Sequence, residues 1–286
     1  MGIYGIHYVN ARTTRLTTDV HCQTKSCLPP LSQCDKHACN FLLLGSDSRA
    51  GLSKKQQKSI GTGPQAVQGQ RADTIIVVNV NAAENRTVVL HIPRDLLVTI
   101  PGHGQNKINS AFSFGPNTMV KTVEGLTGLK INHYVAINFA GFEGLVNALG
   151  GVTICVNKPM VDTLAGLNLR HVGCYHMSGR TALAFVRARH VQGDIIPDFS
   201  RISRQQKFMR ALIQKALSAG SIFHLPSLIQ AVQDNLILDK GLNLYELQDL
   251  TRKLAKLGQG HVLFRIVPST PVTIDGVDYV QLVQPD

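Results

Sequence analysis

An α/β fold class, with one domain over about residues 40–286, is predicted from three features of this 286-residue chain. β-Branched apolar runs alternate with amphipathic stretches of helical period. No internal repeat is visible, and no Pro/Ser-rich linker interrupts the sequence. At 44% hydrophobic residues the chain has ample material for a packed core.

Residues 1–39 read as a polar, cysteine-rich leader without clear periodicity. Residues 41–45, an apolar run ending in glycine, predict a buried strand, and the Lys-, Gln- and Gly-rich stretch 53–70 predicts an exposed loop. A β-branched strand is expected over 74–80, then a turn over 82–86 and a third strand over 87–92, closed by Pro93. Helical signals follow at 117–126, capped by Asn117 or Thr118, and at 139–149, stopped by Gly150 and Gly151. A strand is expected at 152–156, and 178–189 reads as a helix running into a strand-like 185–189. Residues 202–217 predict an amphipathic helix with Phe208, Leu212 and Ile213 inward and Lys207, Arg210 and Lys215 outward. The tail predicts helices near 226–235 and 245–257, then a strand over 262–267.

If the first three strands form an antiparallel meander, the end of the first, the start of the second and the end of the third share one edge. That edge would collect Asp47, Arg49, Arg71, Asp73, Arg94 and Asp95, which lie far apart in sequence.

A formal net charge of +11 points to an anionic partner: nucleic acid, a phosphorylated substrate or an acidic membrane surface. Trp is absent and aromatics are sparse, which weakens readings based on stacked bases or ring-lined sugar clefts. No helix-turn-helix, zinc-finger or aromatic RNA-binding signature occurs, so a nucleic-acid partner is not expected. Of six cysteines, Cys22, Cys27, Cys34 and Cys39 crowd the leader, while Cys155 and Cys174 stand apart. Their even number suits disulfides in an oxidising compartment; a four-thiolate zinc site in the leader is the rival reading. Three connectivities are open to the first four cysteines.

Asp47 and Asp73 are hard-oxygen groups of the kind Mg²⁺ prefers, although each alone also reads as a turn aspartate. Arg49, Arg71, Arg94, Arg187, Arg189, Arg201 and Arg204 offer guanidinium forks that match phosphate oxygens. On a strand Arg187 and Arg189 would share a face, and on a helix Arg201, Arg204 and Gln205 would do so. Lys107 and Asn109 follow Pro101-Gly102-His103-Gly104 and read as groups delivered by a mobile Gly-rich loop. Walker, nucleophile-elbow, zinc-protease and dinucleotide signatures are all absent.

The ordered blocks Phe41-Leu-Leu-Leu-Gly-Ser-Asp-Ser-Arg49, Arg71-Ala-Asp-Thr74, Ile92-Pro-Arg-Asp95, Lys107-Ile-Asn109, Leu149-Gly-Gly-Val152, Val186-Arg-Ala-Arg189 and Asp198-Phe-Ser-Arg-Ile-Ser-Arg-Gln-Gln206 resemble the LytR-CpsA-Psr family over about residues 40–217. The resemblance implies a three-layer α-β-α domain with a mixed central sheet. It implies an enzyme that moves a glycopolymer phosphate from a polyprenyl-pyrophosphate lipid carrier onto peptidoglycan, with Mg²⁺ (or Mn²⁺) as cofactor. By motif, Asp47 and Asp73 would hold the metal. Arg49, Arg71, Arg94, Lys107, Arg187, Arg189, Arg201 and Gln205 would bind the pyrophosphate, and Asp198 would orient Arg201. Asp73, Arg94 and Asp95 would be catalytic.

The long stretch between Asp47 and Arg71, with a Cys155–Cys174 disulfide, resembles actinobacterial members, whose cargo is arabinogalactan-like. Such proteins are membrane-associated on the extracytoplasmic face, so an acidic membrane surface is an expected partner. The first twenty residues hold no apolar run long enough to insert, which leaves the anchor outside this chain. A non-catalytic binder, or a pyrophosphatase, of lipid-linked glycans would use the same arginines.

Overall fold

The computed structural model describes residues 34, 38–47, 71–81, 83–217, 235–239, 242 and 262–283. Arg49, most of the leader, the 53–70 stretch and the tail helices expected near 226–235 and 245–257 lie outside them. The chain divides into two compact units.

The first unit is built on a six-stranded sheet. β1 (Ala38–Ser46), β2 (Ala72–Asn81) and β3 (Arg86–Ile92) form the expected antiparallel meander, with Leu44 opposite Ile75 and Ile75 opposite Ile92. β6 (His133–Ile137) runs parallel to β1 and β12 (Val262–Ile266) parallel to β3, while β11 (Leu236–Leu238) closes the β6 edge antiparallel. The sheet is therefore mixed, in the order β11-β6-β1-β2-β3-β12. The α/β class with a mixed central sheet and flanking helices is as expected.

The near-continuous apolar run of β1 reflects burial on both faces. Leu42 and Leu44 pack with Ile75, Val77 and the helical residues Met119, Val120 and Val123; Cys39 and Phe41 pack on the opposite face with Val80 and Leu238. Each such aliphatic side chain contributes about 2 kcal/mol of transfer free energy.

Helix α1 (Pro116–Thr127) starts one residue earlier than expected. Gly115 occupies the cap position with no side-chain bond, and Pro116, whose fixed φ suits a first turn, begins the helix. Thr118 Oγ1 instead donates back to Phe114 O at 3.3 Å, so neither Asn117 nor Thr118 is the cap. The stretch read as a mobile Gly-rich loop is a hairpin, β4 (Leu97–Ile100) and β5 (Gly104–Lys107), followed by a 3₁₀ turn over Ile108–Phe114. Pro101, Gly102 and His103 form its tight turn, which His103 N closes on Ile100 O at 2.9 Å. A further hairpin, β13 (Ser269–Ile274) and β14 (Val277–Leu282), completes this unit.

The second unit holds α2 (Phe139–Ala148), the paired strands β7 (Val152–Val156) and β10 (Gly173–Met177), the small β8 (Met160–Asp162)–β9 (Leu167–Leu169) hairpin, α3 (Gly179–Arg187) and α4 (Pro197–Leu217). Asn138 caps α2 by accepting from Gly141 N at 2.9 Å. The expected strand over 185–189 is not present. Residues 182–186, rich in the helix formers Ala and Leu, stay helical and buried, and the chain turns extended only at Ala188. Arg187 and Arg189 thus do not share a strand face. In α4, Phe208 is buried and Lys207 and Arg210 are exposed as expected, while Leu212, Ile213 and Lys215 are half-buried.

Candidate functional site

In the first unit the meander delivers its edge. β1 and β2 shift register between Gly45 and Ser46, a bulge that turns the strand end just before Asp47. Arg71 N donates to Asp47 Oδ1 at 3.0 Å, and Asp47 N donates to Arg71 O at 3.2 Å. Burial pushes the Asp47 carboxyl above the ordinary carboxylate range; the bond from Arg71 N opposes this, and the charge of Asp73 adds to the rise. Asp73, at the start of β2, accepts from Arg94 Nη1. Arg94 also donates from Nε to Asp95 Oδ2 at 3.2 Å, and Lys107 Nζ lies 3.2 Å from Asp95 Oδ1.

Backbone bonds hold this chain of charges in place. Asn109 N donates to Arg94 O at 3.1 Å and Ile108 N to Leu96 O at 2.8 Å, which fixes the end of β5 against the turn after β3. From β14, Val280 N donates to Asp95 O at 2.9 Å, and the Tyr279 ring centre lies 5.4 Å from Lys107 Nζ. Asp47, Arg71, Asp73, Arg94, Asp95 and Lys107 are thus brought together.

Asp47, half-buried and raised chiefly by burial with the charge of Asp73 adding to the rise, and Asp73 are hard-oxygen groups whose repulsion a divalent cation would relieve. The residues fit Mg²⁺. Cys34, Cys39 and His133 form a second group of ligand-type side chains, with candidate atoms within 4.8 Å of one another. The two sulfurs are bonded to each other, however, so they do not offer the thiolates of the four-thiolate zinc reading.

In the second unit Asp198 joins two arginines. Arg189 Nη2 donates to Asp198 Oδ2 at 2.9 Å, and Arg201 Nη2 lies 3.0 Å from Asp198 Oδ1. Arg201, Arg204 and Gln205 share the buried face of α4. Arg204 is engaged structurally: it donates to Ala188 O and pairs with Asp194 at 2.8 Å, and Asp194 also holds Lys158 at 3.2 Å. Gln205 Nε2 donates to Val186 O at 3.4 Å. The Arg187 guanidinium lies over the Phe139 ring at 4.6 Å.

Asp162 belongs to none of the sequence motifs. It is buried and accepts from Arg189 N at 2.7 Å, His190 N at 2.8 Å and Ala165 N at 3.1 Å, which fixes the backbone that carries Arg189. Burial works to raise its pKa, but these backbone bonds outweigh it and hold the carboxyl below its usual range. Its only sequence signal is an aspartate on a short strand. The disulfide expected between Cys155 and Cys174 is formed across directly paired positions of β7 and β10.

Comparison with known proteins gives a consistent result. The chain is 37% identical to the probable cell wall biosynthesis protein LcpB of Corynebacterium glutamicum over 78% of its own length and 53% of that protein's. It is 36% identical to the polyisoprenyl-teichoic acid–peptidoglycan teichoic acid transferase TagU of Enterococcus faecalis, over 67% of this chain and 64% of the relative. It therefore spans about half to two thirds of the length of these curated relatives. A structure of TagT bound to LI-WTA superposes with a TM-score of 0.67 at 26% identity, covering 92% of this chain and 89% of that one. The LytR_cpsA_psr family model matches residues 3–286, and the chain belongs to the LytR-CpsA-Psr family.

Proposed function

We propose that this chain is a phosphotransferase that moves a glycopolymer phosphate from a polyprenyl-pyrophosphate carrier onto peptidoglycan, leaving a phosphodiester link. The observation that carries this reading is the run Asp73–Arg94–Asp95–Lys107, two carboxylates and two cations alternating at one strand-end edge. Kinship with the TagU and TagT transferases supports the substrate class.

In the first unit Arg71, Arg94 and Lys107 are the cations suited to pyrophosphate oxygens; in the second, Arg187, Arg189, Arg201 and Gln205 are the groups suited to them, with Asp198 positioning Arg189 and Arg201, and Arg49 is a further candidate by motif. Mg²⁺ (or Mn²⁺), held by Asp47 and Asp73, would supply further charge neutralisation on the phosphoryl oxygens. An acceptor hydroxyl attacks the sugar-proximal phosphorus in line; a new P–O bond forms, the pyrophosphate bridge breaks and the lipid phosphate departs. Phosphate oxygens draw Arg94 and Lys107 away from Asp95, and the carboxylate so released takes the hydroxyl proton. The protein works on the extracytoplasmic side, at an anionic membrane surface that its positive charge favours. An arabinogalactan-like cargo is supported by the long stretch between Asp47 and Arg71 and by the Cys155–Cys174 bond.

The test incubates the protein with a lipid-pyrophosphate disaccharide and a peptidoglycan oligomer, with and without Mg²⁺, and follows products by mass spectrometry. A Mg²⁺-dependent phosphodiester adduct, absent with Arg94→Ala and Asp73→Ala, is expected. Released lipid phosphate without adduct would indicate a pyrophosphatase, and retained lipid without turnover a binding protein.

A further inference from the structure

Beside the Cys34–Cys39 disulfide lies a histidine that phosphoryl transfer does not use. His133, on β6 and 7% exposed, presents Nε2 to Cys34 Sγ at 3.5 Å. Its Nδ1 lies 3.2 Å and 3.4 Å from the two carboxylate oxygens of Asp239. Asp239 is buried, and its oxygens already accept from Tyr134 N at 2.9 Å and Leu242 N at 3.0 Å. A carboxylate engaged by two backbone N–H donors is an acceptor only, so Nδ1 carries the ring proton. Nε2 is left as a lone-pair base aimed at the sulfur. Phe41 stacks on the ring at 4.9 Å between centroids and fixes its plane. Among the described residues, Asp239 and the two cysteines are the titratable groups in contact with this imidazole. Cys34 is exposed and Cys39 buried, so an incoming reagent meets Cys34 first.

We propose that Cys34 and Cys39 form a thiol–disulfide exchange site in which His133, positioned by Asp239, stabilises the Cys34 thiolate, and whose reaction partner is a dithiol or the matching disulfide. A disulfide that only braced β1 would have no use for an oriented base at its sulfur. The order Cys34–His133–Asp239 is the thiol–imidazole–carboxylate arrangement that activates nucleophilic cysteines.

In the reducing direction a partner thiolate attacks Cys34 Sγ. The Cys34–Cys39 bond breaks, and Cys39 leaves and takes up one of the partner's two protons. The partner's second thiolate then attacks the partner sulfur of the mixed disulfide and expels the Cys34 thiolate. The other proton resides on His133 Nε2, beside that thiolate. Two electrons pass from dithiol to cystine, the partner leaves as a disulfide, and oxidation reverses each step.

The experiment uses full-length Cys39→Ser protein, which frees Cys34 while leaving Cys155–Cys174 intact. Iodoacetamide labelling is followed from pH 4.5 to 9.5 by peptide mass spectrometry, with glutathione in the same vial as an ordinary thiol. Cys34 is expected to reach half-maximal reactivity about one pH unit or more below glutathione. Adding His133→Asn should return it to the glutathione curve, with Asp239→Asn in between. A Cys34 profile that coincides with glutathione, or one that His133→Asn leaves unmoved, overturns the proposal. If the His133→Asn protein does not fold, the comparison with glutathione decides alone. In dithiothreitol-treated wild type, protection of both cysteines by equimolar Zn²⁺ would replace the exchange site with a metal site.

Discussion

Asp47 and Arg71 are joined twice, Arg71 N donating to the Asp47 side-chain Oδ1 at 3.0 Å and Asp47 N to Arg71 O at 3.2 Å, so the ends of β1 and β2 form one corner. That corner holds the Asp47 carboxylate half-buried beside the charge of Asp73 and raises its pKa, chiefly through burial. The native state therefore binds this proton more tightly than the unfolded chain does. Asp47 favours folding in acid and costs stability as pH rises through its native pKa. Asp47→Asn keeps an acceptor for Arg71 N and should raise Tm at pH 7 by about 1–3 °C while leaving it unchanged near pH 3. Millimolar Mg²⁺ should raise the Tm of wild type but not of the variant; calorimetry with and without EDTA reads both effects.

Arg94 links Asp73 to Asp95, so Arg94→Ala should cost on the order of 100-fold or more in turnover with little change in Tm. Arg94→Lys should recover only part of this, because an ammonium cannot reproduce the fork that engages both carboxylates. Recovery to wild-type turnover in the lysine variant would show that charge alone suffices.

Asp198→Asn leaves the buried Arg201 and the half-buried Arg189 without their shared carboxylate. Asp198 is itself 34% exposed, so water screens part of the loss, and a destabilisation of about 1–2 kcal/mol is expected in urea unfolding. The donor-substrate KM should rise about 10-fold as the guanidiniums lose their orientation. A lower kcat at unchanged KM would argue that Asp198 acts on the transition state and not on binding.

His91 on β3 is 1% exposed, and its Nε2 has no hydrogen-bond partner. Burial lowers its pKa to about 4. Below pH 6.5 the unfolded chain takes up a proton that the native ring refuses, so stability is lost progressively as pH falls from there towards 4. The loss should total on the order of 3 kcal/mol in denaturant titrations. His91→Leu should flatten that part of the profile.

A Cβ on Gly179 would lie 2.2 Å from Glu143 O and 2.7 Å from Glu143 Cα, so α3 approaches α2 as closely as backbone allows. Gly179 N also donates to Asn147 Oδ1 at 2.8 Å. Gly179→Ala should destabilise by roughly 2–3 kcal/mol, because backbone and not a flexible side chain must give way. Thermal melts read it directly, and an unchanged Tm would mean that the α2–α3 contact yields easily.

The sequence by itself determined three strands and, given antiparallel pairing, the charged edge they share. The β-branched runs set β1, β2 and β3, and antiparallel pairing then requires Asp47, Arg71, Asp73 and Arg94 to meet. It also set α2, stopped by Gly150 and Gly151, and the 202–217 part of α4, whose apolar spacing is a local signal, while α4 itself starts at Pro197. Tertiary structure alone decided the rest, because the deciding contacts join residues remote in sequence. Residues 185–189 look like strand locally, yet burial of 182–186 keeps them helical to Arg187. Asp162 reaches across 27 positions to fix Arg189, and His133 meets Asp239 across 106, and no local pattern records either. Lys107 reads locally as part of a mobile Gly-rich loop; the β4–β5 pairing and the bond from Asn109 N to Arg94 O instead hold it against Asp95. Periodicity reports which face of an element is buried, but which charged groups share a corner depends on how the elements pair.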